Sequence, residues 1–242
     1  MMEGQAGGFV PFGPAHLATL ACVVLACCAV AVVSRRPWVA ARRAVVAPAL
    51  ALAIATNEVA GVVLGIRTGA LGWSAAIPLH LCDVSVLALL VALVGRRQWA
   101  FEAAYFLGIA GAALAMLTPD MTHGFPSLLF FRFFVTHAAI PVGVVFLMAA
   151  WSMRPRGGAI RRMVVAGTAY MAVASLVNFL LGTNYGYLAW KPERSTPIDW
   201  MGPWPWYIGV LWGVGFCFLL AMYLPWWWSA RREALNSGNR VG

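Results

Sequence analysis

Seven apolar runs, each close to the length of a membrane-crossing helix, constrain this chain more than any other feature. They are Pro14–Val33, Val45–Leu64, Ile77–Val94, Trp99–Leu117, Leu128–Met148, Met163–Leu181 and Trp204–Leu224. About 20 mostly apolar residues carry a helix across the hydrocarbon core. Within that core each backbone N–H and C=O must be satisfied inside the protein, which leaves helices as the structure for runs of this length. Of the 242 residues, 62% are hydrophobic and only 10% charged, a composition foreign to soluble globular domains. The expected fold is all-α: a polytopic membrane protein with seven transmembrane helices in a single domain spanning residues 1–242. The connections leave no room for a separate soluble domain, and no internal repeat stands out. The tail after Arg231 is polar and is expected to fray.

The charges predict an orientation. Arg35, Arg36, Arg42, Arg43, Arg96, Arg97, Arg154, Arg156, Arg161, Arg162, Arg231, Arg232 and Arg240 fall on one side of the seven runs, 13 of the 17 basic residues. Arg67, Lys191 and Arg194 fall on the other side, and Arg132 lies within a run. The positive-inside rule then places the N-terminus outside and the C-terminus in the cytoplasm. No Lys or Arg precedes the first run, so it reads as a helix and not as a signal peptide. The net charge of +9 sits in short loops, where anionic lipid is the expected partner and nucleic acid is not. Tryptophans cluster at both ends of the runs, as interfacial belts do.

With depth assigned, the polar residues gather. His80, Cys82 and Asp83 occupy the start of helix 3, and Arg132 and His137 the outer half of helix 5. Asn57 and Glu58 lie just past the middle of helix 2, Asn178 in the last turn of helix 6, and His16 at the start of helix 1. Five helices thus carry polar groups at one depth, and such groups face a bundle interior or a watery cavity. An outward-opening polar cavity is expected, with Arg132 paired to Glu58 or Asp83. The cytoplasmic half is expected to be dry, with Glu102 its main ionisable group. The five cysteines all lie within runs, so no disulfide framework is expected, and four of them read as small core residues. Cys82 differs, because His80 and Asp83 flank it.

Cys82 and His137 form a possible nucleophile–base pair, since an imidazole can take a thiol proton and stabilise the thiolate. Asn57 and Asn178 are candidate donors to an oxyanion. His80, Cys82, Asp83 and His137 could also ligate zinc, but His80 and Cys82 cannot converge while both are helical. The start of helix 3 would have to be unwound, which Pro78 permits. The alternative reading is an outward-facing ion-binding or transport protein using Glu58, Asp83, Arg132 and His137. The connection after helix 6 contains Asn184, Tyr185 and Lys191, and its Gly, Asn and Pro content predicts a shaped loop at head-group level. No cofactor is called for, and no metal is assigned.

Three stretches, "IPLHLCDVSV", "FFVTHAAIP" and "NFLLGTNYGYLAWKP…DWMGPWPWY", resemble the YwaF-like bacterial integral membrane family. The eukaryotic relatives of that family are transmembrane cysteine acyltransferases that remodel ether phospholipids. The resemblance covers residues 77–210. It implies a multi-pass protein of the bacterial cytoplasmic membrane, with Cys82 matching the nucleophile and His137 the histidine. The implied reaction moves a fatty acyl chain between phospholipids or lysophospholipids through a cysteine thioester.

Overall fold

The computed structural model describes residues 8–69, 71–192 and 196–238. Arg194 and Arg240, counted above, lie outside the described residues. The helices are α1 (Pro14–Val33), α2 (Pro37–Arg67), α3 (Leu81–Gly95), α4 (Gln98–Leu117), α5 (Leu128–Trp151), α6 (Ala159–Leu181) and α7 (Trp206–Gly238). Six of them contain a stretch long and apolar enough to cross a membrane, and α3 is shorter. Leu25, Leu52, Phe179 and Leu180 are among many large apolar side chains left exposed along these helices. Apolar surface on that scale needs lipid around it. Trp38, Trp99, Trp200 and Trp206 are exposed near helix ends, where an indole suits the interface. The protein is a multi-pass membrane protein whose helices contact lipid.

Local chemistry explains where the helices start. Pro14 and Pro37 stand at first-turn positions of α1 and α2, where a missing N–H costs nothing. Ser127 caps α5 by accepting from the Phe130 N–H at 3.1 Å. Gly158 and Gly182 bracket α6 in the left-handed region. α2 extends well before Val45, because arginine is a good helix former and its charge can reach out of the apolar zone. Similarly, α7 continues as helix to Gly238, where a frayed tail was expected.

α3 departs most from expectation. Residues 77–80 precede the helix instead of forming its first turn. Trp73–Ala76 is a 3-10 turn, and Ile77 is extended, as the residue before a proline tends to be. At 15 residues α3 is about 22 Å long, well short of the hydrocarbon thickness. It nevertheless packs against α2, α4 and α5, with Leu89, Ala92 and Leu93 sealed from solvent. Small residues permit the close approach. A Cβ on Gly143 would lie 2.8 Å from Leu89, and one on Gly108 would lie 2.8 Å from Ile140. Gly108 closes a π-helical stretch, Ala104–Gly108, within α4.

At the arginine-rich end the main ionisable group is Glu102, and it is fully paired. Glu102 is fully buried and accepts four hydrogen bonds: Arg162 Nε and Nη2 at 2.8 Å, Gln98 Nε2 at 2.9 Å and the Arg156 N–H at 3.1 Å. Its length lets it reach across α4 to the α5–α6 turn and to α6, a long-range pairing that spacing in the chain does not reveal. Cys22, Cys28 and Cys217 also depart from expectation, lying exposed on the outer face of the bundle rather than in the core. A thiol is apolar enough for that position.

Candidate functional site

The N-terminus of α3 organises the polar region. His80 occupies the N-cap position with an extended backbone, and Asp83 Oδ2 accepts the His80 N–H at 3.0 Å. One carboxylate oxygen therefore satisfies an otherwise orphaned donor of the first turn. The His80 ring packs edge-on against Tyr185, with centroids 5.0 Å apart. His80 is thus outside the helix, and the pair it forms with Asp83 is a cap rather than a shared helical face. Cys82 follows in the first turn, half-buried, with Asp83 and Glu58 as its charged neighbours. Tyr170 and Tyr187 lie within electrostatic reach of its sulfur.

His137 faces this region from α5. Its Nδ1 lies 2.7 Å from the Phe133 carbonyl, which can only accept, so Nδ1 carries the proton. A neutral imidazole then keeps its lone pair on Nε2, the nitrogen free to act as a base. Glu58 is the charged neighbour of His137 as well as of Cys82. Among the described residues no hydrogen bond joins Cys82 to His137.

Glu58 itself is held by a small network. Thr136 Oγ1 donates to Glu58 Oε1 at 2.7 Å, and Asn57 Nδ2 donates to Glu58 Oε1 and to Thr136 Oγ1, both at 3.1 Å. This ties α2 to α5 one residue before His137. Both Asn57 N–H groups are thereby used, which removes it as an oxyanion donor. Asn178 is committed too: Nδ2 donates to the Tyr185 carbonyl, while Oδ1 accepts from the Tyr185 N–H and from Thr183 Oγ1. Asn178 holds the loop instead of facing the thiol.

Arg132 does not form the expected ion pair. Among the described residues no salt bridge joins it to Glu58 or Asp83, and its Nε is buried without a hydrogen-bond partner. The guanidinium fills the space that a Cβ on Gly61 would occupy, so it crosses α2 where that helix has no side chain. Its charge still reaches Asp83. Gly61→Ala should therefore dislodge Arg132. Because the arginine stem is flexible, the expected stability loss is at the low end for overpacking, about 1 kcal/mol, read as a lowered thermal midpoint in detergent. Adding Arg132→Ala should restore much of that loss. Additive losses in the double variant would show that the two positions do not share this seat.

The loop after α6 forms a cap over the start of α3. Asn184 Oδ1 accepts from the Ala189 and Trp190 N–H groups, and its Nδ2 donates to the Trp190 carbonyl at 2.8 Å. Tyr185 is buried with Leu188 and Ala174 against Leu79 and Tyr170. Tyr170 Oη donates to the Leu79 carbonyl at 3.2 Å. Gly186, at φ 65°, passes so close to Tyr170 that a Cβ there would lie 2.8 Å from its hydroxyl. Tyr187 donates to Asp120 at 3.2 Å. Burial first, and then the Asp120 carboxylate, push the Tyr187 hydroxyl up to about 12, so it remains a neutral donor at physiological pH. Lys191 Nζ donates to the Asp199 carbonyl at 3.2 Å and lies over the Tyr207 ring.

The profile of the TMEM164 family, a transmembrane family, matches residues 11–223, from the segment before α1 into α7. The chain belongs to the TMEM164 family. It is also similar to an uncharacterized protein of Treponema pallidum (strain Nichols), 28% identical over 120 residues. That match covers half of this chain and half of the relative. No solved structure matches it.

In this TMEM164 family member Glu58 is a charged neighbour of Cys82, Asp83 and His137, His80 is tied to Asp83 at the helix start, and His16 stands apart. His16 is fully buried, its Nδ1 accepting from the Phe12 N–H and its Nε2 donating to the Met116 carbonyl at 2.7 Å. It is a satisfied core histidine. Sequence reasoning passed over Thr136, Tyr170 and Gly61. Thr136 stood next to His137 inside an apolar run, a polar residue at membrane depth that could have been noticed. Gly61 gave no signal, since its importance is the absence of a side chain opposite Arg132.

Proposed function

We propose that this protein is a membrane-embedded cysteine acyltransferase that moves a fatty acyl chain between phospholipids or lysophospholipids. The observation that carries the proposal is the contact between His137 Nδ1 and the Phe133 carbonyl, which puts the proton on Nδ1 and leaves Nε2 able to act as a base. Family membership and the motifs around both residues add support, as does the resemblance to YwaF-like proteins. In the proposed reaction Nε2 takes the Cys82 proton, and the thiolate attacks the ester carbonyl of a phospholipid. The tetrahedral intermediate collapses with cleavage of the C–O bond, and the departing alkoxide takes the proton back from His137. A lysophospholipid hydroxyl then gives its proton to His137 and attacks the thioester carbonyl; the C–S bond breaks, and the departing Cys82 thiolate takes that proton back from His137, restoring both side chains. No oxidant or other co-reactant is needed. Catalytic hydrogen bonds are often unformed without substrate, and substrate binding closes the Cys82–His137 distance in this proposal.

The proposal includes seven spans, with α3 completed by residues 77–80 and sheathed by its neighbours. It also includes an exterior N-terminus, a cytoplasmic C-terminus, the bacterial cytoplasmic membrane as location, and anionic lipid at the arginine-rich end. Asn184, Tyr185 and Lys191 shape the loop on which a head group would rest. Reporter fusions after Arg97 and after Pro192 should read cytoplasm and exterior respectively; reversal at either site overturns the orientation.

Mass spectrometry of the purified protein after exposure to phospholipid vesicles tests the chemistry. A hydroxylamine-labile acyl adduct on Cys82 is expected. Turnover without any adduct, unaffected by loss of Cys82, would overturn the thioester route; absence of both adduct and turnover would favour ion binding or transport by the Glu58, Asp83, Arg132 and His137 group.

A further inference from the structure

The proposed acyl transfer leaves Arg132 without a task, yet a guanidinium among membrane helices is costly to keep. It stands one turn into α5, where α2, α3 and α5 pack pairwise against one another. Its Nε, Cζ and Nη2 lie over Gly61 of α2, in the space a side chain would fill. That close packing restricts the guanidinium plane and seals Nε. Among the described residues Nη1 and Nη2 take part in no hydrogen bond, and neither is sealed as Nε is. The terminal edge of the guanidinium is therefore held in place with its donors unengaged.

The neighbouring acids do not use that edge. Asp83 Oδ2 accepts the His80 N–H at 3.0 Å, and Glu58 Oε1 accepts from Thr136 Oγ1 and Asn57 Nδ2. The Arg132 charge reaches Asp83, the residue next to Cys82, without an ion pair to either carboxylate among the described residues. Position along the helix adds a second constraint. Arg132 stands about 7.5 Å of helix rise before His137, toward the end at which both α3 and α5 begin. In a glycerophospholipid the phosphate lies a few bonds from the ester carbonyls, on the side away from the acyl chains. An ester held at Cys82, with its acyl chain running into the hydrocarbon, directs its phosphate toward Arg132.

We propose that Arg132 binds the phosphate of the lipid substrate through its terminal nitrogens and selects phosphodiester head groups. This inference rests on the acyltransfer reading and names the head-group chemistry of its substrate. Guanidinium donors match phosphate oxygens in geometry and charge. Asp83 and Glu58 set the limit on charge, because both repel the larger charge of a phosphate monoester more than the single charge of a diester. Diester lipids are therefore favoured over phosphatidic acid. Arg132 holds the head group, while Cys82 and His137 carry the chemistry.

The full chain carrying Cys82→Ala, which prevents turnover, is purified in detergent and stripped of lipid. Native mass spectrometry then follows titration with short-chain phosphatidylglycerol, phosphatidic acid and diacylglycerol. Saturable binding of phosphatidylglycerol is expected, tighter than that of phosphatidic acid and about tenfold or more tighter than that of diacylglycerol. Arg132→Gln should remove most of the preference over diacylglycerol. Gly61→Ala, which displaces the guanidinium while keeping its charge in the chain, is the second variant and should weaken phosphatidylglycerol in the same direction. Arg67→Gln removes the same charge from an exposed position at the end of α2 and should change affinity by less than about twofold. Unchanged phosphatidylglycerol affinity in Arg132→Gln, or equal weakening in Arg67→Gln, would overturn the site; tighter binding of phosphatidic acid would overturn the diester preference. Binding that depends on Arg132, in a protein whose Cys82 form transfers no acyl chain, would end the acyltransferase reading and leave the phosphate site standing. Acyl transfer whose head-group preference survives Arg132→Gln would do the reverse.

Discussion

Cys82→Ala should abolish acyl transfer from phospholipid to lysophospholipid while leaving the protein expressed and folded. The thiol is half-buried in the first turn of α3 and contributes nothing to the α3 core, which is carried by Leu89, Ala92 and Leu93. Removing a covalent nucleophile deletes the intermediate itself, so a loss of about 10³-fold or more in kcat is expected. Cys82→Ser should retain little, because a hydroxyl needs a stronger base than an imidazole held by Phe133 provides. His137→Ala should fall as far as Cys82→Ala, and the double variant should be no worse, since the two act as a unit. Cys27→Ala, on α1, should be silent. The measurement is single-turnover transfer of a labelled acyl chain together with the mass of the protein. Full activity in Cys82→Ala on a verified substrate would end the acyl-enzyme mechanism.

The second large effect is expected on stability, at the opposite end of the bundle. Glu102→Ala should lower the stability of the folded bundle by about 3 kcal/mol, the low end for breaking a buried ion pair. The low end applies because Arg162 is 39% exposed and can turn toward water once its partner is gone, whereas Glu102 is fully buried. The Gln98 amide and the Arg156 N–H would lose their shared acceptor as well. Glu102→Gln keeps one carbonyl oxygen and should lie between wild type and Glu102→Ala. Thermal midpoints in detergent check the order. If Glu102→Ala and Glu102→Gln were both as stable as wild type, the network would be incidental to the fold. Cys82 labelling by a thiol reagent should be unchanged in both variants under native conditions, since the two ends share no side chain.

Much of the fold was legible in the chain itself. Crossing hydrocarbon demands length and apolarity in one continuous segment, and both are local properties. Six of the seven runs accordingly return as long apolar helices, and the seventh as the shorter α3. The segregation of arginines and the interfacial tryptophans are equally local. Cys82 stood out because its immediate neighbours are polar, again a local property. Thr136 and Tyr170 were missed because a hydroxyl in an apolar run says nothing about which helix it faces.

What the sequence by itself determined is a membrane protein of apolar helices with polar residues concentrated on a few of them. The tertiary structure alone decided how those residues pair, because pairing depends on helix rotation and crossing, which have no fixed sequence separation. Arg132 settles over Gly61 rather than on a carboxylate. Asn57 and Asn178 hold backbone and neighbours instead of facing the thiol. Glu102, an isolated acid in the sequence, becomes the anchor of four hydrogen bonds once α4, α6 and the α5–α6 turn converge. The start of α3 shows both contributions. Pro78 bars an early helix by its own geometry, but the position of the Cys82 turn is fixed by Tyr170 holding Leu79 and Tyr185 packing on His80, contacts made across about 90 to 105 residues of chain.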